Sequence, residues 1–173
     1  MEPFFAEWLE FLRLLTRHRV RFLLIGGHAI AVHGQPRYTE DLDVFVAATP
    51  ANARRLRAAL VDFGYGAVTP TVDMLATRNK VFMLGRAPFR IDILTGIDGV
   101  TFEEAWSTRV PLDVEGARVF VIGLAALIAN KRASGRPKDL VDVTFLEERQ
   151  RRMKKSSRTD TKGRTRRQAV RSR

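Results

Sequence analysis

A chain of 173 residues, 45% of them hydrophobic, is long enough for one domain with a real core, and without cysteine it has neither disulfides nor thiolate metal sites. The +11 formal charge is uneven, because residues 149–173 hold 12 of the 30 Lys and Arg and one acid, Asp160, leaving a neutral body with 18 of each sign. No apolar run approaches a membrane span, and the start Met1-Glu-Pro-Phe-Phe lacks a signal peptide's basic region, so a cytoplasmic protein is expected.

Phe4, Phe5, Trp8, Leu9, Phe11, Leu12 and Leu15 recur at helical spacing, which predicts an amphipathic helix packed across a sheet. Phe22 to Ile25 reads as a short buried strand that ends at Gly26-Gly27. Without Cβ atoms, these glycines allow a sharp turn and close approach of a ligand to the backbone. Residues 28–33 predict a short helix whose opening N–H groups could receive a phosphate. The next strand, to Val46, opens on Asp41 and Asp43. Side chains two apart share a strand face about 6–7 Å apart, so these carboxylates repel unless a cation lies between them. Mg2+ suits the position, since it takes oxygen ligands and keeps open positions for substrate phosphates.

Thr49-Pro50 caps a helix through Phe63 that Gly64 closes. Residues 64–79 predict a loop with room for one short helix. Lys80 to Leu84 and Phe89 to Leu94 read as strands joined by Gly85-Arg86-Ala87-Pro88, and the second carries Asp92. Thr101-x-x-Glu104 has capping-box spacing and starts a helix to Trp106. Arg109 to Val114 and Arg118 to Ile122 form a hairpin around Glu115-Gly116. Helices over 123–133 and 138–148 follow, separated by Gly135 and Pro137. From Arg151 the chain lacks the apolar residues for a core and reads as disordered. Such a basic tail is as compatible with a solvated segment as with one that binds RNA through its phosphates. His28 and His33 diverge on a helix, which disfavours a two-histidine metal site.

Gly26-Gly27 followed by Arg37-x-Thr39-x-Asp41-x-Asp43 resembles the signature of nucleotidyltransferases with the DNA polymerase β-like fold. Within that superfamily the chain is most similar to small bacterial AbiEii-like proteins, the type IV abortive-infection toxins. The resemblance covers most of residues 20–148, and Asp92 in Phe89-Arg-Ile-Asp-Ile-Leu94 matches the third carboxylate. It implies an α/β (α+β) fold: a short, twisted mixed sheet flanked by helices, with further helices at the C-terminus. The expected division is a catalytic core over 1–122, a helical segment over 123–150 and a basic tail over 151–173.

The implied activity is Mg2+- or Mn2+-dependent transfer of a nucleoside monophosphate from an NTP to a hydroxyl of an RNA end, a protein or a small molecule. Asp41, Asp43 and Asp92 are the implied catalytic and metal-binding residues. Gly26, Gly27, Arg37, Thr39, Lys131, Arg136 and Asp139 are the implied nucleotide- and phosphate-binding set. In the related toxins a cognate antitoxin is the usual partner.

A simpler reading of the last group is that Lys131 and Arg136 pair with Asp139 and Asp142 across the interhelical turn. An Asp-x-Asp phosphohydrolase is disfavoured, because its nucleophile follows an apolar strand, whereas Gln35-Pro-Arg-Tyr-Thr-Glu40 precedes Asp41. Two readings without catalysis stay open: a nucleic-acid-binding protein that uses the tail, and an inactive relative that acts as a partner. The second is weakened by the presence of all three acidic positions.

Overall fold

The computed structural model describes residues 6–36, 38–86 and 90–170, with side chains through Lys155. Six strands form one mixed sheet: β1 (Phe22–Leu24), β2 (Asp41–Val46), β3 (Val81–Leu84), β4 (Arg90–Leu94), β5 (Val110–Val114) and β6 (Ala117–Val121). Their spatial order is β3-β4-β2-β1-β6-β5. The β2–β4 and β1–β6 pairs are parallel, and the remaining neighbours are antiparallel. The helices are α1 (Ala6–Arg17), α2 (Gly26–Val32), α3 (Pro50–Leu60), α4 (Val72–Ala76), α5 (Phe102–Ser107), α6 (Leu124–Ser134) and α7 (Pro137–Val170). This is the expected mixed α/β architecture.

Register in the centre of the sheet follows from alternation. In β2, Leu42 and Val44 are fully buried between the partly buried Asp41 and Asp43; in β4, Ile91 and Ile93 are buried beside Arg90 and Asp92. Burying each of these four apolar side chains stabilises by about 1.5–3 kcal/mol. A slip of one residue would exchange the buried set for the charged one, so hydrophobic burial also sets the charged face. Helix α1 buries Trp8, Leu9, Phe11, Leu12 and Leu15 and packs on α3 and β6. Phe4 and Phe5, also expected on that face, lie outside the described residues.

Local signals set most element ends. Thr49 Oγ1 accepts from Asn52 N at 3.3 Å to cap α3, and Thr101 with Glu104 forms the expected capping box on α5. Asn52 is buried and ties three segments together. Its Oδ1 accepts from Arg21 N (2.7 Å), and its Nδ2 donates to the carbonyls of Arg21 (3.1 Å) and Ala47 (3.0 Å). The β5–β6 hairpin turns at Glu115-Gly116 with φ of +48° and +83°, the geometry of a type I′ turn. The ambiguous stretch 64–79 contains α4, capped by Thr71 and anchored through Leu75.

One element departs from expectation. Residues from Arg151 were expected to be disordered, but α7 continues for 34 residues, to Val170. A scarcity of apolar side chains excludes a packed core; it does not exclude a helix, and Lys, Arg and Gln are favourable helix residues. Among the described residues no helix is long and apolar enough to cross a membrane.

Candidate functional site

The charged face of the sheet centre opens into a cavity of about 750 Å3, within the range usual for small-molecule sites. Asp41, Asp43, Arg90 and Asp92 lie on its sheet side, and Lys131, Ser134, Arg136 and Asp139 from the α6–α7 turn lie on the other. Gly26, Gly27 and Thr39 complete one end. Asp43 and Asp92 are direct register partners across parallel strands, as are Asp41 and Arg90. Neighbouring strands are about 4.8 Å apart, so all three carboxylates fall on one small patch.

The glycine pair is required by that patch. Gly26 has φ +60°, and a Cβ there would come within 1.9 Å of Asp43 Oδ2. A Cβ on Gly27 would meet Thr39 Cβ at 2.8 Å. The close approach seen here is therefore made by the chain's own Asp43 and Thr39. Thr39 Oγ1 also donates to the Asp41 carbonyl at 3.1 Å, fixing the entrance to β2.

Arg90 completes the patch, and its importance went unrecognised in the sequence. Its Nη2 donates to Asp41 Oδ2 at 2.7 Å and its Nε to Asp92 Oδ1 at 3.0 Å. The signal was present, since Arg90-x-Asp92 has the same two-residue strand spacing as Asp41-x-Asp43. Among the described residues Asp43 receives no such bond. Burial, then the charges of Asp92 and Asp41, push its pKa up to about 6 against the opposing pull of Lys131 and Arg90.

The donor chemistry suits a hard divalent cation: three carboxylates share a face, and Asp41 Oδ1 is buried without a hydrogen-bond partner among the described residues. The side chains are not gathered into a closed ligand cluster, for among the described residues no group of three or more His, Cys, Asp or Glu could hold a metal as arranged. Arg90 supplies the positive charge between Asp41 and Asp92 instead.

Across the cavity, Lys131 is buried and its ammonium is held by Asp139 and, at 3.1 Å, by Asp142 Oδ2. Arg136 Nε and Ser134 Oγ each donate to Asp139 Oδ2 at 2.6 Å. Burial pushes the Asp139 carboxyl up, but hydrogen bonds from Lys131, Ser134 and Arg136 outweigh it and hold its pKa at about 2. The pairing across the interhelical turn thus forms, and it engages the cations expected at phosphates. Arg37 lies outside the described residues. Asp98 also lines the cavity.

Neither His28 nor His33 is among the residues lining this cavity. His28 packs edge-on against Trp8 at 5.3 Å, and burial lowers its pKa to about 4. His33 Nε2 donates to the Ile122 carbonyl at 2.8 Å.

A family model described as "Nucleotidyl transferase AbiEii toxin, Type IV TA system" matches residues 13–166. No curated protein matches the chain. Among solved structures it is similar to an antigenic nucleotidyltransferase-like protein from Paracoccidioides brasiliensis, at 14% identity and TM-score 0.48, covering 83% of this chain and 77% of that one.

Proposed function

The chain belongs to the AbiEii family of nucleotidyl transferase toxins, and from that membership we propose that it transfers a nucleoside monophosphate from an NTP to a hydroxyl acceptor. The observation that carries this reading is the placement of Asp41, Asp43 and Asp92 on one face of paired strands, inside a cavity of nucleotide size. Asp41, Asp43 and Asp92 would hold Mg2+ or Mn2+ through carboxylate oxygens. When bound, the cation stabilises charge on the triphosphate and on the departing pyrophosphate.

The chain's own groups do the rest. The acceptor hydroxyl attacks the α-phosphorus, a new O–P bond forms, the α–β bridging bond breaks and pyrophosphate leaves. Asp92 takes the hydroxyl proton. Gly26, Gly27 and Thr39 shape the end of the cavity that receives the phosphates. Arg37 and Arg136 neutralise charge there. Lys131 and Asp139 act by fixing the α6–α7 wall, since each is the other's buried partner. Residues 1–122 supply the carboxylates, 123–150 supply the facing wall, and the basic segment 151–173 adds phosphate contacts if the acceptor is RNA. A cognate antitoxin is the partner this family membership suggests.

The test is incubation of purified protein with each labelled NTP, Mg2+ or Mn2+ and a cell extract. Label should pass to an acceptor with wild-type protein, and should not with Asp43→Asn or in excess chelator. Equal labelling by Asp43→Asn would remove this site from the reaction.

A further inference from the structure

Arg90 binds two of the three carboxylates at once, one on its own strand and one on β2. The bridge spans the parallel pair because Arg90 is the register partner of Asp41 and stands two residues before Asp92. Its side chain is 35% exposed, so the guanidinium lies at the cavity surface and its stem can swing without moving the strand. Among the described residues Asp41 Oδ1 has no hydrogen-bond partner, and Arg90 offers Asp43 no hydrogen bond. Among the described residues the guanidinium is bonded to only two of the three carboxylates, and Lys131 acts on Asp43 by its charge without a hydrogen bond. A divalent cation would need the same Asp41 and Asp92 oxygens, and two positive centres cannot share them closely without repulsion.

We propose, on the nucleotidyl-transfer reading of this site, that Arg90 is an exchangeable counter-ion. It holds Asp41 and Asp92 together until a divalent cation arrives, gives them up, and turns its fork onto the phosphates of the donor. The guanidinium fork matches phosphate as well as it matches carboxylate, and bidentate pairing favours such a transfer between anions. Arg90 is thus a residue that prevents repulsion from scattering the carboxylates and later binds substrate. A purely structural salt bridge makes the opposite prediction, because removing it would disorder the carboxylates and weaken every ligand.

The experiment compares wild type, Arg90→Gln, Arg90→Lys and Asp43→Asn as full-length proteins. Mn2+ alone is titrated and followed by loss of the free-ion paramagnetic resonance signal; Mn2+-tripolyphosphate binding is measured by calorimetry. Arg90→Gln should bind Mn2+ about ten-fold more tightly than wild type and Mn2+-tripolyphosphate about ten-fold more weakly. That crossing of affinities is the signature of exchange. Unchanged or weaker Mn2+ binding by Arg90→Gln would overturn the proposal, and weakening toward both ligands would identify a structural salt bridge. If Arg90→Gln fails to fold by circular dichroism, Arg90→Lys decides. With charge but no fork, it should bind Mn2+-tripolyphosphate more weakly than wild type, and wild-type affinity there would overturn the phosphate role. Absence of Mn2+ binding in every protein would remove the metal reading itself. Loss confined to Asp43→Asn, with Arg90→Gln equal to wild type, would leave that reading standing and reject the exchange.

Discussion

Replacing Gly26 with alanine should damage the site far more than the fold. Two costs follow from the structure. Alanine at φ +60° is strained by about 1–2 kcal/mol. Its Cβ would also stand 1.9 Å from Asp43 Oδ2, 2.7 Å from Cγ and 3.1 Å from Cβ, so the carboxylate must rotate or the strand must shift. Forcing Asp43 off its rotamer adds about 0.5–1.5 kcal/mol. The sum, roughly 1.5–3.5 kcal/mol, corresponds to about 3–14 °C in Tm for a chain of this size. The functional loss is larger, because a misplacement of about 1 Å in reacting groups can cost 100-fold in rate. Thermal unfolding and NTP-dependent labelling of an acceptor, measured on the same preparation, separate the two effects. Folded Gly26→Ala protein with wild-type transfer would refute the packing of Gly26 against Asp43 as a requirement of the site.

Asp43→Asn should abolish transfer yet stabilise the protein in chelator above pH 6. Its folded pKa of about 6 exceeds the ordinary 3.8, so Asp43 contributes stability that is full below about pH 4 and is lost as pH rises through about 6. Ionised, it costs up to about 3 kcal/mol, a penalty that asparagine escapes. A lower Tm for Asp43→Asn at pH 8 would contradict burial and repulsion as the cause. Lys131→Ala should unfold more easily by about 3–5 kcal/mol, because Asp139 and Asp142 would remain buried without their ammonium. An unchanged denaturant midpoint with only a raised KM would instead make Lys131 a plain phosphate ligand. Truncation after Gln150 should leave Tm nearly unchanged. If the acceptor is RNA, it should also lower transfer at low salt and lose that effect as salt rises. Equal transfer by both forms at low salt would show the segment to be dispensable for acceptor capture.

Strands β2 and β4 were legible because apolar and charged residues alternate through residues 41–44 and 90–93. Leu42 and Val44 against Asp41 and Asp43 leave one sensible register, and burial enforces it. Asp92 was legible as a strand residue, but its contact with Asp43 depends on β2 and β4 pairing in parallel, a long-range choice that local pattern does not contain. Arg90 escaped notice for a related reason. Its partners come from two strands, and only the folded sheet shows that its charge falls between them. The Lys131 pairing was recognisable as an alternative from the short Ser134-Gly135-Arg136 turn, yet burial of all three charged partners is a tertiary fact. The extension of α7 is not legible in composition, because a scarcity of apolar residues excludes a core and not a helix.

The most direct measurement of the central claim is to run the transfer reaction in parallel with NTP labelled at the α-phosphate and NTP labelled at the γ-phosphate. Transfer of a nucleoside monophosphate predicts that α-label enters the acceptor while γ-label leaves as pyrophosphate, with both signals lost in Asp43→Asn. Appearance of γ-label in the acceptor, or of α-label with Asp43→Asn, would contradict the account.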